Sequence, residues 1–172
     1  MSLEPLLSAS PVIQIHAACA ILAFIVGALV LFRRKGDAPH KRLGKVWVGL
    51  MAITALSSFF IWTIRLVGPF SPIHLLSMLT LFLLYRGVAC ARQHRIKLHM
   101  RTMQATYISA LVIAGLFTFF PGRITNRVVF GPAGADTGKW LVFAAVIVFV
   151  GIAALAASRF RPTVKVPLIS AR

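Results

Sequence analysis

Apolar residues in this chain do not alternate with polar ones. They run on in long stretches, and short basic segments separate them. Five stretches, about 12–32, 46–64, 73–91, 103–120 and 140–157, are nearly free of charge. Each approaches the roughly 20 residues that a helix needs to cross a ~30 Å hydrocarbon layer. The pattern predicts an all-α fold, a polytopic bundle of about five transmembrane helices over residues 1–172 as a single domain. Only the third stretch holds a charge, Arg86, near enough to its end to reach the headgroups.

The basic residues between the stretches give the orientation. Arg33, Arg34, Lys35, Lys41, Arg42 and Lys45 flank the first connection, and Arg86, Arg92, Arg95, Lys97 and Arg101 flank the third. Arg159, Arg161, Lys165 and Arg172 follow the last stretch, which places 15 of 19 cations on one side. Arg65, Arg123, Arg127 and Lys139 are left for the other. By the positive-inside rule the N-terminus is outside and the C-terminus cytoplasmic. Trp62 and Trp140 then fall at the outer interface and Trp47 at the inner one, where an amphipathic ring is comfortable.

Composition agrees with this reading. The chain is 59% hydrophobic and 13% charged, against about 25% charged in a soluble domain. Its net charge of +16 would suggest a nucleic-acid partner if taken alone. Here anionic lipid on the cytoplasmic leaflet accounts for it, at about 1 kcal/mol for each surface cation. Met1 to Pro11 lacks a basic segment and a small-residue cleavage site, so the first stretch is expected to stay in the mature protein. Cys19 and Cys90 belong to opposite leaflets, too far apart for a disulfide. The segment 121–139, rich in Gly and Pro, is the longest outer connection, a length at which loops are often functional. The tail 162–172 is expected to extend along the membrane surface.

Conventional catalytic equipment is missing. The only carboxylates are Glu4, Asp37 and Asp136, all outside the apolar stretches. No nucleophile elbow, P-loop, dinucleotide fingerprint or recognised metal motif occurs. Histidine remains. His16 lies just inside the first stretch and His74 at the outer start of the third; His40 and His99 precede the second and fourth on the inner side. The four therefore form two pairs, one per leaflet, each drawn from two helices. Paired neutral imidazoles across a bundle are what a low-spin b-type haem requires, and one haem near each surface would make a transmembrane electron relay. His40 and His99 can serve only if their helices begin one or two turns before the apolar stretch. Lys41, Arg42 and Arg101 inside, with Arg65 and Arg123 outside, are compatible with haem propionates, and Phe59, Phe60 and Phe70 with an apolar haem wall. His94, between Gln93 and Arg95, reads as a solvated headgroup contact.

Other chemistries compete. An interfacial histidine is ordinarily solvated or hydrogen-bonded, and the pairing is what singles these out. His99 with Met103, and His74 with Met78, share helix faces at a spacing that suits copper, with Met100 beside His99. Methionine at that spacing is far more often packing. A zinc or copper ion shared by His16 and His74 lacks a visible third ligand.

The stretches 11–17 (PVIQIHA), 40–51 (HKRLGKVWVGLM), 55–60 (ALSSFF), 63–76 (TIRLVGPFSPIHLL), 99–103 (HMRTM) and 115–123 (GLFTFFPGR) carry a resemblance. Together they resemble a family of small bacterial integral membrane proteins, domain of unknown function 2306, over residues 11 to about 125. The family typically shows His-Arg-Arg-x-Met before its fourth helix, and Met100 departs from that pattern. All four paired histidines fall within the matching stretches. The resemblance implies a bacterial inner-membrane protein and implies no reaction. A haem-binding electron-transfer protein is therefore the first expectation, with diheme b-type cytochromes an architectural analogy only. The second is a non-catalytic accessory or assembly subunit of a larger membrane complex, since Gly151, Ala153, Ala154, Ala156 and Ala157 would permit close helix approach. A transporter ranks below both, because no helix carries a mid-span break or a buried carboxylate.

Overall fold

The computed structural model describes residues 2–61, 72–120 and 123–131, and every regular element among them is helical. A short helix α1 (Glu4–Leu7) leads into α2 (Pro11–Phe32), whose first position is a proline that loses no hydrogen bond there. The Gln14 side-chain amide donates to the Leu7 and Ala9 carbonyls, both at 2.9 Å, and so ties α1 to the start of α2.

Helix α3 (Ala38–Ser58) begins well before the apolar stretch at 46. Asp37 caps it, accepting the His40 backbone N–H at 2.7 Å, and Pro39 occupies the first turn. Cap and proline set a helix start, whereas hydropathy marks only where the apolar residues begin. The helix also stops at Ser58 rather than 64. There the Ser57 and Ser58 hydroxyls turn back onto the Thr54 and Ala55 carbonyls, and the chain tightens into i→i−3 bonds.

Helix α4 (Pro72–Arg92) matches its expected span within a residue. It ends in a Schellman turn: His94 adopts φ 56°, Arg95 N–H bonds to the Cys90 carbonyl, and His94 N–H to that of Ala91. This tight reversal starts α5 (Ile96–Tyr107) earlier than the expected 103. A π-helical segment, Ile108–Ile113, joins α5 to α6 (Ala114–Phe117), and α7 (Ile124–Phe130) follows. The fifth expected span, with Trp62, Arg65, Phe70, Lys139, Trp140 and the basic tail, lies outside the described residues.

Helices α2 to α6 pack up and down. Ser57 near the end of α3 meets His16 near the start of α2, and Ser77 near the start of α4 meets Ser58. Gly87 near the end of α4 meets His99 near the start of α5. The core is Ala23, Trp47, Met51, Leu84, Tyr107 and Leu111. Gly27 lets α2 approach closely: a Cβ there would lie 2.5 Å from Trp47 Nε1 and 2.6 Å from the Tyr107 ring. Tyr107 also donates its hydroxyl to the Phe24 carbonyl at 3.1 Å and stacks on the Phe24 ring. Trp47 is therefore buried among the helices rather than exposed.

Burial is inverted relative to a soluble protein. Ser58, Ser77, Thr80, Thr102 and Thr106 are inside, while Ile21, Leu22, Phe24, Ile25 and Leu29 on α2, and Leu75, Leu79 and Phe82 on α4, face out. Exposed apolar area on this scale suits lipid rather than water. Among the described residues, α2 and the part of α4 from His74 to Arg92 are long and apolar enough to cross a membrane.

Candidate functional site

The four histidines divide between the two ends of the bundle, as the up-and-down packing requires. At the end where α2 and α4 start, His16 Nδ1 lies 3.0 Å from Ser57 Oγ. That hydroxyl spends its own proton on the Thr54 carbonyl, so it accepts from His16. The His16 tautomer is thereby Nδ1–H, and its Nε2 carries the lone pair. His74, 6% exposed, stacks on Phe59 with ring centroids 5.8 Å apart and planes at 22°. At the end of α3, Ser57 thus contacts His16 of α2, and Phe59 contacts His74 of α4. The Ser58 and Ser77 hydroxyls meet between α3 and α4, and Ser58 lies between Ser57 and Phe59 in sequence.

At the opposite end, His40 is on the first turn of α3 and His99 on the first turn of α5. Both helices extend past their apolar stretches, which is the condition these residues had to meet. His99 Nδ1 donates to the Gly87 carbonyl at 2.8 Å, which again leaves Nε2 as the acceptor. Metal-bound histidines are oriented in this way, with the remote N–H on a backbone carbonyl. His40 Nδ1 is buried with no hydrogen-bond partner. His40 precedes the apolar part of α3, and burial pulls its imidazole below the ordinary range, as does the proximity of His99 and of Lys35 and Arg33; Asp37 opposes them. The neutral, ligating form is therefore favoured there.

Asp37 organises this end. Its carboxylate accepts from His40 N–H and from the Arg33 guanidinium at 3.0 Å, and these two bonds hold it below the usual carboxylate range. Sequence reasoning placed Asp37 in a loop and gave it no role, although Asp-Ala-Pro is a recognisable helix start. Ser57 and Gly87 were also missed, because their contribution is a contact between helices distant in sequence. Gly87 further admits Met103, whose side chain occupies the place a Cβ would take.

The copper arrangements gain little. His74 is buried while Met78, one turn on, is 60% exposed. No group of three or more His, Cys, Asp or Glu able to hold a metal occurs among the described residues. His94 is exposed and acts in the Schellman turn. Cys19 and Cys90 are free. Phe60, Lys41, Arg42 and Arg101 are exposed, and Arg123 precedes α7. Gly151, Ala153, Ala154, Ala156 and Ala157 lie outside the described residues.

No curated protein and no solved structure matches the chain. Residues 13–147 match the family described as a predicted membrane protein, DUF2306. That stretch takes in His16, His40, His74 and His99, and over it the chain belongs to the DUF2306 family of predicted membrane proteins.

Proposed function

We propose that this chain is a haem-binding electron-transfer protein of the bacterial inner membrane, with His16 and His74 as one axial pair and His40 and His99 as the other. The observation that carries the proposal is the state of the inner pair. His99 has its Nδ1 fixed on the Gly87 carbonyl and its Nε2 free to ligate, close to a His40 whose ring nitrogen is buried and unpartnered. A buried nitrogen without a partner costs about 1–3 kcal/mol, and for His40, whose unpartnered atom is Nδ1, coordination through that Nδ1 would remove that cost. His16 offers the same tautomer at the other end.

Haem b would supply one-electron iron chemistry at each site. The residues of this chain orient the imidazoles: Ser57 for His16, Phe59 for His74, Gly87 for His99 and the Asp37-capped turn for His40. The proposed protein has five spans, an outer N-terminus, a cytoplasmic C-terminus and anionic lipid against its basic inner face.

Haem stoichiometry per chain tests the assignment. Two haems are expected in the full protein expressed with haem precursor, and one in His99→Ala, with His94→Ala unchanged. Equal haem content in His99→Ala and the parent would remove His99 from the site.

A further inference from the structure

Between α3 and α4 a groove of about 420 Å³ opens on the outside of the bundle. Its wall and floor are apolar, with Val48 and Ala52 from α3 and Leu81, Leu84 and Val88 from α4. One end is polar, where Arg92 and Gln93 line it. Lys41 lies seven residues before Val48, two helical turns along the same face of α3, and is exposed. The antiparallel packing brings Lys41 and Arg92 to one depth: Lys41 is eleven residues from Ala52, and Arg92 is eleven from Leu81.

Eleven residues of helix span about 16 Å, close to the ~15 Å thickness of half a hydrocarbon layer. The groove therefore runs from mid-membrane to one interface, the one that carries the basic connections. A spanning helix of a partner would need a seam twice as long. From this geometry we infer that the α3–α4 groove is a binding site for one anionic phospholipid of the leaflet at the basic end. An acyl chain lies along Val48, Ala52, Leu81 and Val88, and the phosphate is held between Arg92 and Lys41. Cationic recesses between membrane helices hold such headgroups through charge and hydrogen bonding together. Tyr85, 74% exposed beside the groove, leaves the chain open to the bilayer, so the lipid exchanges.

Native mass spectrometry of the full chain, released from nanodiscs of equal phosphatidylglycerol and phosphatidylcholine, tests this. Retention of one phosphatidylglycerol is expected, with a preference of roughly tenfold over phosphatidylcholine. Arg92→Gln combined with Lys41→Gln is expected to bring that ratio close to one. Ala52→Leu, which fills the groove, is expected to lower retention of both lipids, with Ala89→Leu as the second variant should the first fail to fold. Arg34→Gln, an exposed cation away from the groove, is expected to leave the ratio unchanged. Three results would overturn the inference: no preference in the parent protein, an equal loss in Arg34→Gln, or a second copy of the chain whose association is abolished by Ala52→Leu while lipid is retained.

Discussion

Gly27 shows most plainly what a single residue contributes. It lies where α2 crosses the Trp47 indole and the Tyr107 ring, and an added methyl has no place to go. Gly27→Ala is expected to destabilise the bundle by about 1–3 kcal/mol, the usual cost of overpacking a filled core. Gly49→Ala, on an exposed position of α3 with no atom within 4 Å, is expected to be neutral or to stabilise by about 0.5–1 kcal/mol. Thermal unfolding in detergent separates the two; equal midpoints would contradict the packing described here. Hydropathy could not have found this contact. Topology assigned Trp47 to the inner end, after a basic cluster, without showing what the ring packs against. What draws the ring inward is the small residue opposite it on α2, a partner that periodicity along one helix does not reveal.

Among the described residues, apolar stretches locate the long helices but not their ends. Helices α2 and α4 match their stretches because proline and the first apolar residues coincide at their starts. Helices α3 and α5 begin earlier, and the added turns carry His40 and His99. The pairing of these histidines at one end was therefore legible from topology, but their place on ordered helix rested on Asp37 and on the Schellman turn at His94. The π segment Ile108–Ile113 left no trace in the hydropathy pattern, since it adds apolar residues to an apolar run. The start of α3 should also be the acid-sensitive part of the bundle. Asp37 has a lowered pKa, so its stabilisation is complete above the ordinary carboxylate range and disappears as pH falls through the lowered value. His40 also has a lowered pKa, so the unfolded chain takes up its proton first and stability falls as pH drops below the ordinary imidazole range. Both effects act in one direction. Hydrogen exchange of the first turns of α3 is expected to accelerate on acidification, and Asp37→Asn to flatten the more acidic part of that response. Exchange independent of pH-dependent stability, once corrected for the intrinsic rate, would contradict the assignment.

For the whole molecule, the described helices place Arg33 to Lys45 and Arg92 to Arg101 at one end, with the starts of α2 and α4 at the other. Reporter fusions after Lys35 and after Arg95 are expected to read as cytoplasmic, and fusions after Ile61 and after Gly131 as external. The reverse pattern would overturn the orientation and with it the leaflet assignment of both histidine pairs. Whether those pairs hold haem decides the function. The most direct measurement is the optical spectrum of the full chain, purified after expression with haem precursor, before and after dithionite. A sharp Soret band that shifts to longer wavelength on reduction, lost in part in His99→Ala and in part in His16→Ala, is the predicted result; a colourless protein would contradict it.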